Sequence, residues 1–214
     1  MNETGKRIAT AAIAAPVTIV SILYGDILYW LFCLIGMFMA LFEWDSMVRT
    51  DRKNRLVLRV SGLLYILLCV ASLIYLRGQE DGLALTIILF SGIWLSDIFA
   101  YICGRLLKGP RIAPQISPNK TWAGFIAAVV FPFIYLIMLE VTGLFNVHFL
   151  TACIAGFILG ITSQFGDFVI SMVKRHVGVK DTGNLLPGHG GLLDRVDSLI
   201  LAAPVFVLLL RFLS

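Results

Sequence analysis

Long apolar runs alternate with short polar breaks along the chain, and each run has roughly the length of a membrane crossing. A helix needs about 20 mostly apolar residues to span about 30 Å of hydrocarbon. Seven segments meet that requirement, near Ile8–Tyr24, Leu28–Trp44, Leu56–Leu76, Leu83–Cys103, Thr121–Thr142, Phe149–Val173 and Leu192–Leu213. The first two are short and flank Gly25-Asp26, which predicts a tight helical hairpin. One interruption is Pro-rich, the segment 109–121 (GPRIAPQISPNKT). Pro110, Pro114 and Pro118 disfavour helix there and predict a stiff, extended loop. There is no internal repeat and no linker long enough for a second domain, so residues 1–214 read as one membrane domain.

Composition supports this pattern. Apolar residues make up 59% of the 214 and charged residues 14%, whereas a soluble domain carries about 25% charged residues. Mean hydropathy is +0.92. The expected fold is an all-α, polytopic bundle of about seven transmembrane helices. The net charge of +4 does not indicate nucleic-acid binding, because its distribution follows the membrane. With the N-terminus in the cytoplasm, all of the 17 Lys and Arg except Arg77 and Arg211 lie on the cytoplasmic side, as the positive-inside rule requires. Lys6 and Arg7 precede an apolar run that reads as an uncleaved first span. Cys33, Cys69, Cys103 and Cys153 lie singly in four apolar segments, without metal-ligand spacing, and read as small buried hydrophobes.

Carboxylates inside spans are exceptions to the pattern. One near the bilayer centre costs about 2.5–3.5 kcal/mol and marks a functional site by default. Glu43 and Glu140 sit near span ends and read as interfacial. Asp97 and Asp167 lie deeper. Asp97 shares a helical face with Tyr101 and Arg105, and Asp167 lies on a polar stripe with Ser163, Ser171 and Lys174. An interhelical hydrogen bond or an Asp–Arg pair would also explain such residues.

The most polar stretch is Ser171–Asp197, SMVKRHVGVKDTGNLLPGHGGLLDRVD. Its glycines let backbone N–H groups approach an anion closely. Lys174, Arg175, Lys180 and Arg195 can neutralise phosphates, Arg through paired hydrogen bonds. Asp167 and Asp194 offer hard oxygen ligands to Mg²⁺, which binds through one or two carboxylates plus substrate phosphates. This mixture suits nucleotide phosphates bridged by a metal. No Gly-x4-Gly-Lys-Ser/Thr run occurs, so a P-loop is excluded.

The stretch resembles the signature of the phosphatidate cytidylyltransferases, also called CDP-diacylglycerol synthases. The match falls on Ser171, Lys174, Arg175, Lys180, Asp181, Gly183, His189, Gly190, Gly191, Asp194, Arg195 and Asp197. An upstream block is similar to a second shared region: Asp97, Tyr101, Gly104, Arg105, then Ser117-Pro118-Asn119-Lys120-Thr121-Trp122 and Gly124. Ala123 stands where family members often carry Glu or Gln. The resemblance covers roughly residues 93–198, about half the chain.

The resemblance implies transfer of a cytidylyl group from CTP to phosphatidate, giving CDP-diacylglycerol and diphosphate. It makes residues 1–92 scaffold spans and 93–214 the catalytic part. Asp167 and Asp194 would hold Mg²⁺, with a second cation such as K⁺ beside it. Lys174, Arg175, Lys180 and Arg195 would bind phosphates. Asp181 and Asp197 would be metal or supporting ligands, and His189 would assist by hydrogen bonding. Ser117 and Lys120 would contact the nucleotide or the lipid headgroup, with Asp97, Arg105, Ser171, Gly190 and Gly191 also on the substrate. The implied setting is a bacterial-type inner membrane with the site facing the cytoplasm, and the implied assembly is a homodimer. A related CTP-dependent lipid cytidylyltransferase or a lipid kinase is the alternative within enzymes, and an ion-coupled transporter the alternative outside them.

Overall fold

The computed structural model describes residues 3–145, 147–188 and 190–213, and the side chains of these apart from residues 3–9 and 11. The described chain forms the helices α1 (Glu3–Tyr24), α2 (Asp26–Val48), α3 (Arg55–Arg77), α4 (Gly82–Leu107), α5 (Trp122–Val141), α6 (Phe149–His176) and α7 (Leu193–Leu213). Between α4 and α5 lie two short strands, β1 (Arg111–Ala113) and β2 (Ser117–Thr121). Helices α2 to α7 are each long and apolar enough to cross a membrane, and the described apolar part of α1 is the shorter Ala12–Tyr24. The protein is an all-α integral-membrane protein. Large apolar side chains such as Ile13, Phe38, Leu64, Trp94 and Phe157 are exposed, which in this class is the surface that lipid covers.

Helix boundaries follow the chemistry of the breaks. Gly25 separates α1 from α2 at φ 70°, a left-handed conformation that glycine adopts without a Cβ penalty. The prolines of segment 109–121 give extended chain as expected. The structure goes further and pairs it into an antiparallel hairpin, Arg111 opposite Thr121 and Ala113 opposite Ser117. Thr121 then caps α5, its hydroxyl accepting from the Gly124 N–H at 3.2 Å. Hairpin and cap together fix Lys120, the residue before the cap.

The chain divides into two compact units. The first comprises α1, α2, α3 and the segment Val173–Val196. Here Trp44 Nε1 donates to the Leu58 carbonyl at 2.7 Å, joining α2 to α3, and Arg77 Nε donates to the Ile22 carbonyl at 3.2 Å, joining α3 to α1.

The second unit comprises Ala84–Met172 and the chain from Asp197 onward. Its α5 and α6 approach backbone to backbone: a Cβ built at Gly160 would lie 2.6 Å from the Ala128 carbonyl oxygen and 2.7 Å from Val129 Cα. Small residues of this kind permit close packing between membrane helices. Gly160→Val is therefore expected to destabilise by about 1–3 kcal/mol through overpacking, read as a lowered melting midpoint in detergent. Gly36→Val, where a Cβ meets nothing within 4 Å, is the near-neutral control; equal shifts would contradict the assigned packing.

Candidate active site

Within the first unit, the polar stretch of the sequence folds around a carboxylate from outside it. Glu43, on α2, is 2% exposed. Its Oε1 accepts from the Leu192 N–H at 2.8 Å and its Oε2 from the Leu193 N–H at 2.9 Å. The first N–H groups of a helix have no partner within it, and the positive end of the helix dipole favours an anion there. Glu43 thus caps α7 from another helix. It is not interfacial, as its place near a span end suggested: three donors and the surrounding protein take the place of water.

From Glu43 the network continues through Thr182. The Thr182 Oγ1 lies 3.2 Å from Glu43 Oε2 and 3.0 Å from Asp194 Oδ2, one hydroxyl bridging two carboxylates. The Thr182 N–H donates to Asp194 Oδ2 at 2.9 Å. The other oxygen of Asp194 accepts from Lys174 Nζ at 2.6 Å, in an ion pair whose side chains are 10% and 12% exposed. A Cβ at Gly191 would fall against Thr182 and Glu43, so only glycine lets the loop close on the carboxylate. The Gly190 N–H donates to the Leu186 carbonyl at 3.1 Å and Leu186 returns the bond at 2.9 Å, which closes the turn before α7. The Thr10 hydroxyl donates to the Pro187 carbonyl at 2.8 Å and ties that turn to α1.

Other expected residues of this unit stand at its surface. Arg175 is exposed and donates to the Val179 carbonyl at 3.0 Å. Lys180, Asp181 and Arg195 are also exposed. His189 lies outside the described residues.

The second unit holds a separate cluster. Lys120 Nζ lies 2.8 Å from Asp167 Oδ2 and donates to the Gln164 carbonyl at 3.2 Å. Asp167 Oδ1 accepts from the Ser171 hydroxyl at 3.2 Å, one turn along α6. Asp97 Oδ1 accepts from Gln164 Nε2 and from the Ser198 hydroxyl, each at 3.3 Å. Arg105 turns instead to the Tyr101 hydroxyl at 2.8 Å, so the shared helical face of Asp97, Tyr101 and Arg105 does not make an Asp–Arg pair. Ser117 lies partly buried in β2 and Asp197 partly buried near the start of α7, where Asp197 Oδ1 accepts from the Ser198 N–H at 2.9 Å.

Lys120, Asp97, Asp167 and Ser171 thus come together, while Gln164 is a member that the sequence reading missed. It stands three residues before Asp167 on the same helix, but an uncharged amide has no charge to mark it in the sequence.

The donors suit a hard cation. Each cluster offers carboxylate, hydroxyl or carbonyl oxygen, and among the described residues no group of three or more His, Cys, Asp and Glu comes together. One or two carboxylates completed by substrate phosphates is the mode that Mg²⁺ favours.

Fold and clusters together describe an integral-membrane protein with lysine–carboxylate pairs in its polar segments. Residues 52–213 match the cytidylyltransferase family, and the chain belongs to that family. It is 34% identical over 211 residues to the phosphatidate cytidylyltransferase of Rickettsia typhi, covering 94% of this chain and 89% of that protein. The same-named protein of Rickettsia felis is 34% identical over 210 residues, 93% of this chain and 88% of that protein. That of Brucella melitensis is 44% identical over 156 residues, 69% of this chain; the aligned part is 55% of that longer protein.

Glu43→Gln replaces one accepting oxygen by a donor and leaves a buried N–H unpaired, a loss of about 1–3 kcal/mol. The expected result is a lower melting midpoint and faster tryptic cleavage at Lys180. Asp45→Asn breaks an ion pair with Arg59 whose side chains are 39% and 44% exposed, worth at most about 1 kcal/mol. A larger effect at Asp45 than at Glu43 would contradict this ranking.

Proposed function

We infer that this chain is a phosphatidate cytidylyltransferase, forming CDP-diacylglycerol and diphosphate from CTP and phosphatidate. The geometric observation that carries the reading is the repeated pairing of a lysine with a carboxylate, Lys174 with Asp194 and Lys120 with Asp167. The first pair lies within the stretch that resembles the family signature, and the second joins Lys120 of the upstream block to Asp167, one turn before that stretch. The names of the Rickettsia and Brucella relatives point to the same reaction.

In that reaction a phosphatidate oxygen attacks the α-phosphorus of CTP. A new P–O bond forms as the bond to the β-phosphate breaks, and diphosphate leaves. Both reactants are anions, so the protein's work is positioning and charge neutralisation. A lysine ammonium beside a carboxylate matches a cation–phosphate ion pair: the ammonium takes a phosphate oxygen and the carboxylate takes the cation. Asp167 and Asp194 are the residues that would hold Mg²⁺, and K⁺ is a second cation that fits oxygen donors. Bound there, the cation would supply charge neutralisation of the triphosphate.

Lys174 and Lys120 bind and orient phosphates. Arg175, Lys180 and Arg195 present further positive charge, Ser117 and Arg105 supply polar contacts, and Asp97 orients Gln164 and Ser198. Phosphatidate is already ionised at neutral pH, so no general base is required and His189 has only to donate a hydrogen bond. The basic residues lie on the side expected to face the cytoplasm, where CTP is found, and the bacterial origin of the relatives supports a plasma-membrane setting. A homodimer belongs to the same reading and rests on the family resemblance alone.

Purified protein with CTP, phosphatidate and Mg²⁺ is expected to release one diphosphate per CDP-diacylglycerol formed. Asp194→Asn is expected to insert in the membrane and lose about 10²-fold or more in turnover, the scale seen when a group that stabilises transition-state charge is removed. Wild-type turnover in that variant would remove Asp194 from the site. Lys120→Ala is expected to raise the KM of one substrate about 10-fold, the loss of one charge-assisted hydrogen bond. Unchanged kinetics for both substrates would remove the hairpin lysine from the site.

A further inference from the structure

The connection from α2 to α3 carries positive charge that the clusters above do not use. Arg52, Lys53, Arg55 and Arg59 line, with Leu56, an open groove of about 330 Å³. The nearby acids are already engaged. Asp45 pairs with Arg59. Asp51 accepts from the N–H groups of Lys53 and Asn54, both at 2.9 Å, and lies 2.8 Å from His176 Nε2. The ion pairs among the described residues therefore leave Arg52, Lys53 and Arg55 without a carboxylate. Arg55 Nε is buried with no hydrogen-bond partner among those residues. The groove also adjoins the start of α3 at Arg55, where the Asn54 side chain makes no capping bond, so the positive end of that helix adds to the field.

A free anion would match this charge but would leave the apolar surface beside it unused. Leu56, Val60 and Leu64 succeed one another at i, i+4 and i+8 on α3 and are 75%, 48% and 61% exposed, forming one apolar stripe on a membrane-spanning helix. Cations at the head of such a stripe match an amphiphile, with its phosphate in the groove and its chains along the helix.

We propose that the Arg52–Arg59 groove binds the headgroup of an anionic phospholipid, held by Arg52, Lys53 and Arg55 with its acyl chains against Leu56, Val60 and Leu64. The bound lipid is a resident of the protein surface rather than the reacting substrate.

Native mass spectrometry of the full chain in mild detergent, titrated with equal phosphatidylglycerol and phosphatidylcholine, tests this. The wild type is expected to retain phosphatidylglycerol about tenfold over phosphatidylcholine, as several cations near a lipid phosphate allow. The variant carrying Arg52→Gln, Lys53→Gln and Arg55→Gln is expected to lose that preference. If burial of Arg55 makes the triple variant unstable, Arg52→Gln with Lys53→Gln alters only exposed side chains and is expected to cut the preference several-fold. Lys108→Gln with Arg111→Gln, on a different loop, is expected to keep it.

An undiminished preference in the groove variants would overturn the proposal. So would an equal loss in the Lys108 and Arg111 control, which would indicate general charge attraction. Full displacement of the lipid by millimolar inorganic phosphate would also overturn it, because the groove would then be a free-anion site.

Discussion

The first unit depends on one buried carboxylate. Glu43 accepts two backbone N–H groups from the start of α7 and contacts the Thr182 hydroxyl, and all three donors come from the polar stretch 179–193. Among its described residues that stretch has little secondary structure before α7 to hold it, only the Leu186–Gly190 bridge and a few turns. A buried carboxyl group is tolerated when hydrogen bonds replace its hydration, and Glu43 meets that condition by taking up amides that would themselves be orphaned. Each side satisfies the other, so loss of either exposes an unpaired polar group to a dry interior. Asp194 follows directly on Leu193 and shares Thr182 with Glu43, so its position is set by the same constraint.

A comparable economy governs the second unit. Lys120 is fixed by its place in β2 and by the Thr121 cap on α5, and it spans Asp167 and the Gln164 carbonyl. Gln164 in turn donates to Asp97. Every charge in this cluster has a partner within one or two bonds, yet each partner is a group that a phosphate or a hard cation can replace. Polar networks of this kind hold a membrane fold together while remaining exchangeable with charged substrates, which suits a reaction that brings two phosphates into contact.

Much of this was legible in the chain. Apolar runs of membrane length gave all the helices, because lipid leaves helices and closed barrels as the only spanning forms and no barrel pattern is present. Gly25 marked a helix junction, and the clustered prolines marked the extended segment. Its pairing into a hairpin was not legible, since strand register there depends on Arg111 and Ala113 meeting Thr121 and Ser117 across a turn. The polar stretch announced itself by composition; Asp167, Asp194 and Lys174 stood out by residue type and spacing and Lys120 by the family resemblance, and the structure pairs Lys120 with Asp167 and Lys174 with Asp194. Glu43 did not stand out, and the reason is physical. Its partners lie about 150 residues away in sequence, and two of the three are backbone amides, which carry no residue signature. A lone Glu near a span end is ordinarily solvated, so its setting in the chain concealed its burial. Gln164 was overlooked for a related reason: an uncharged amide beside Thr162 and Ser163 is inconspicuous until the fold places Asp97 and Ser96 within reach.

The reaction inferred for this chain is transfer of the cytidylyl group of CTP to a lipid phosphate. CTP labelled at the α-phosphate in one reaction and at the γ-phosphate in a parallel one tests it directly, with phosphatidate-containing vesicles as acceptor. Cytidylyl transfer puts the α label in the lipid fraction and the γ label in diphosphate. Entry of the γ label into lipid would instead indicate phosphoryl transfer to a lipid alcohol and contradict cytidylyl transfer.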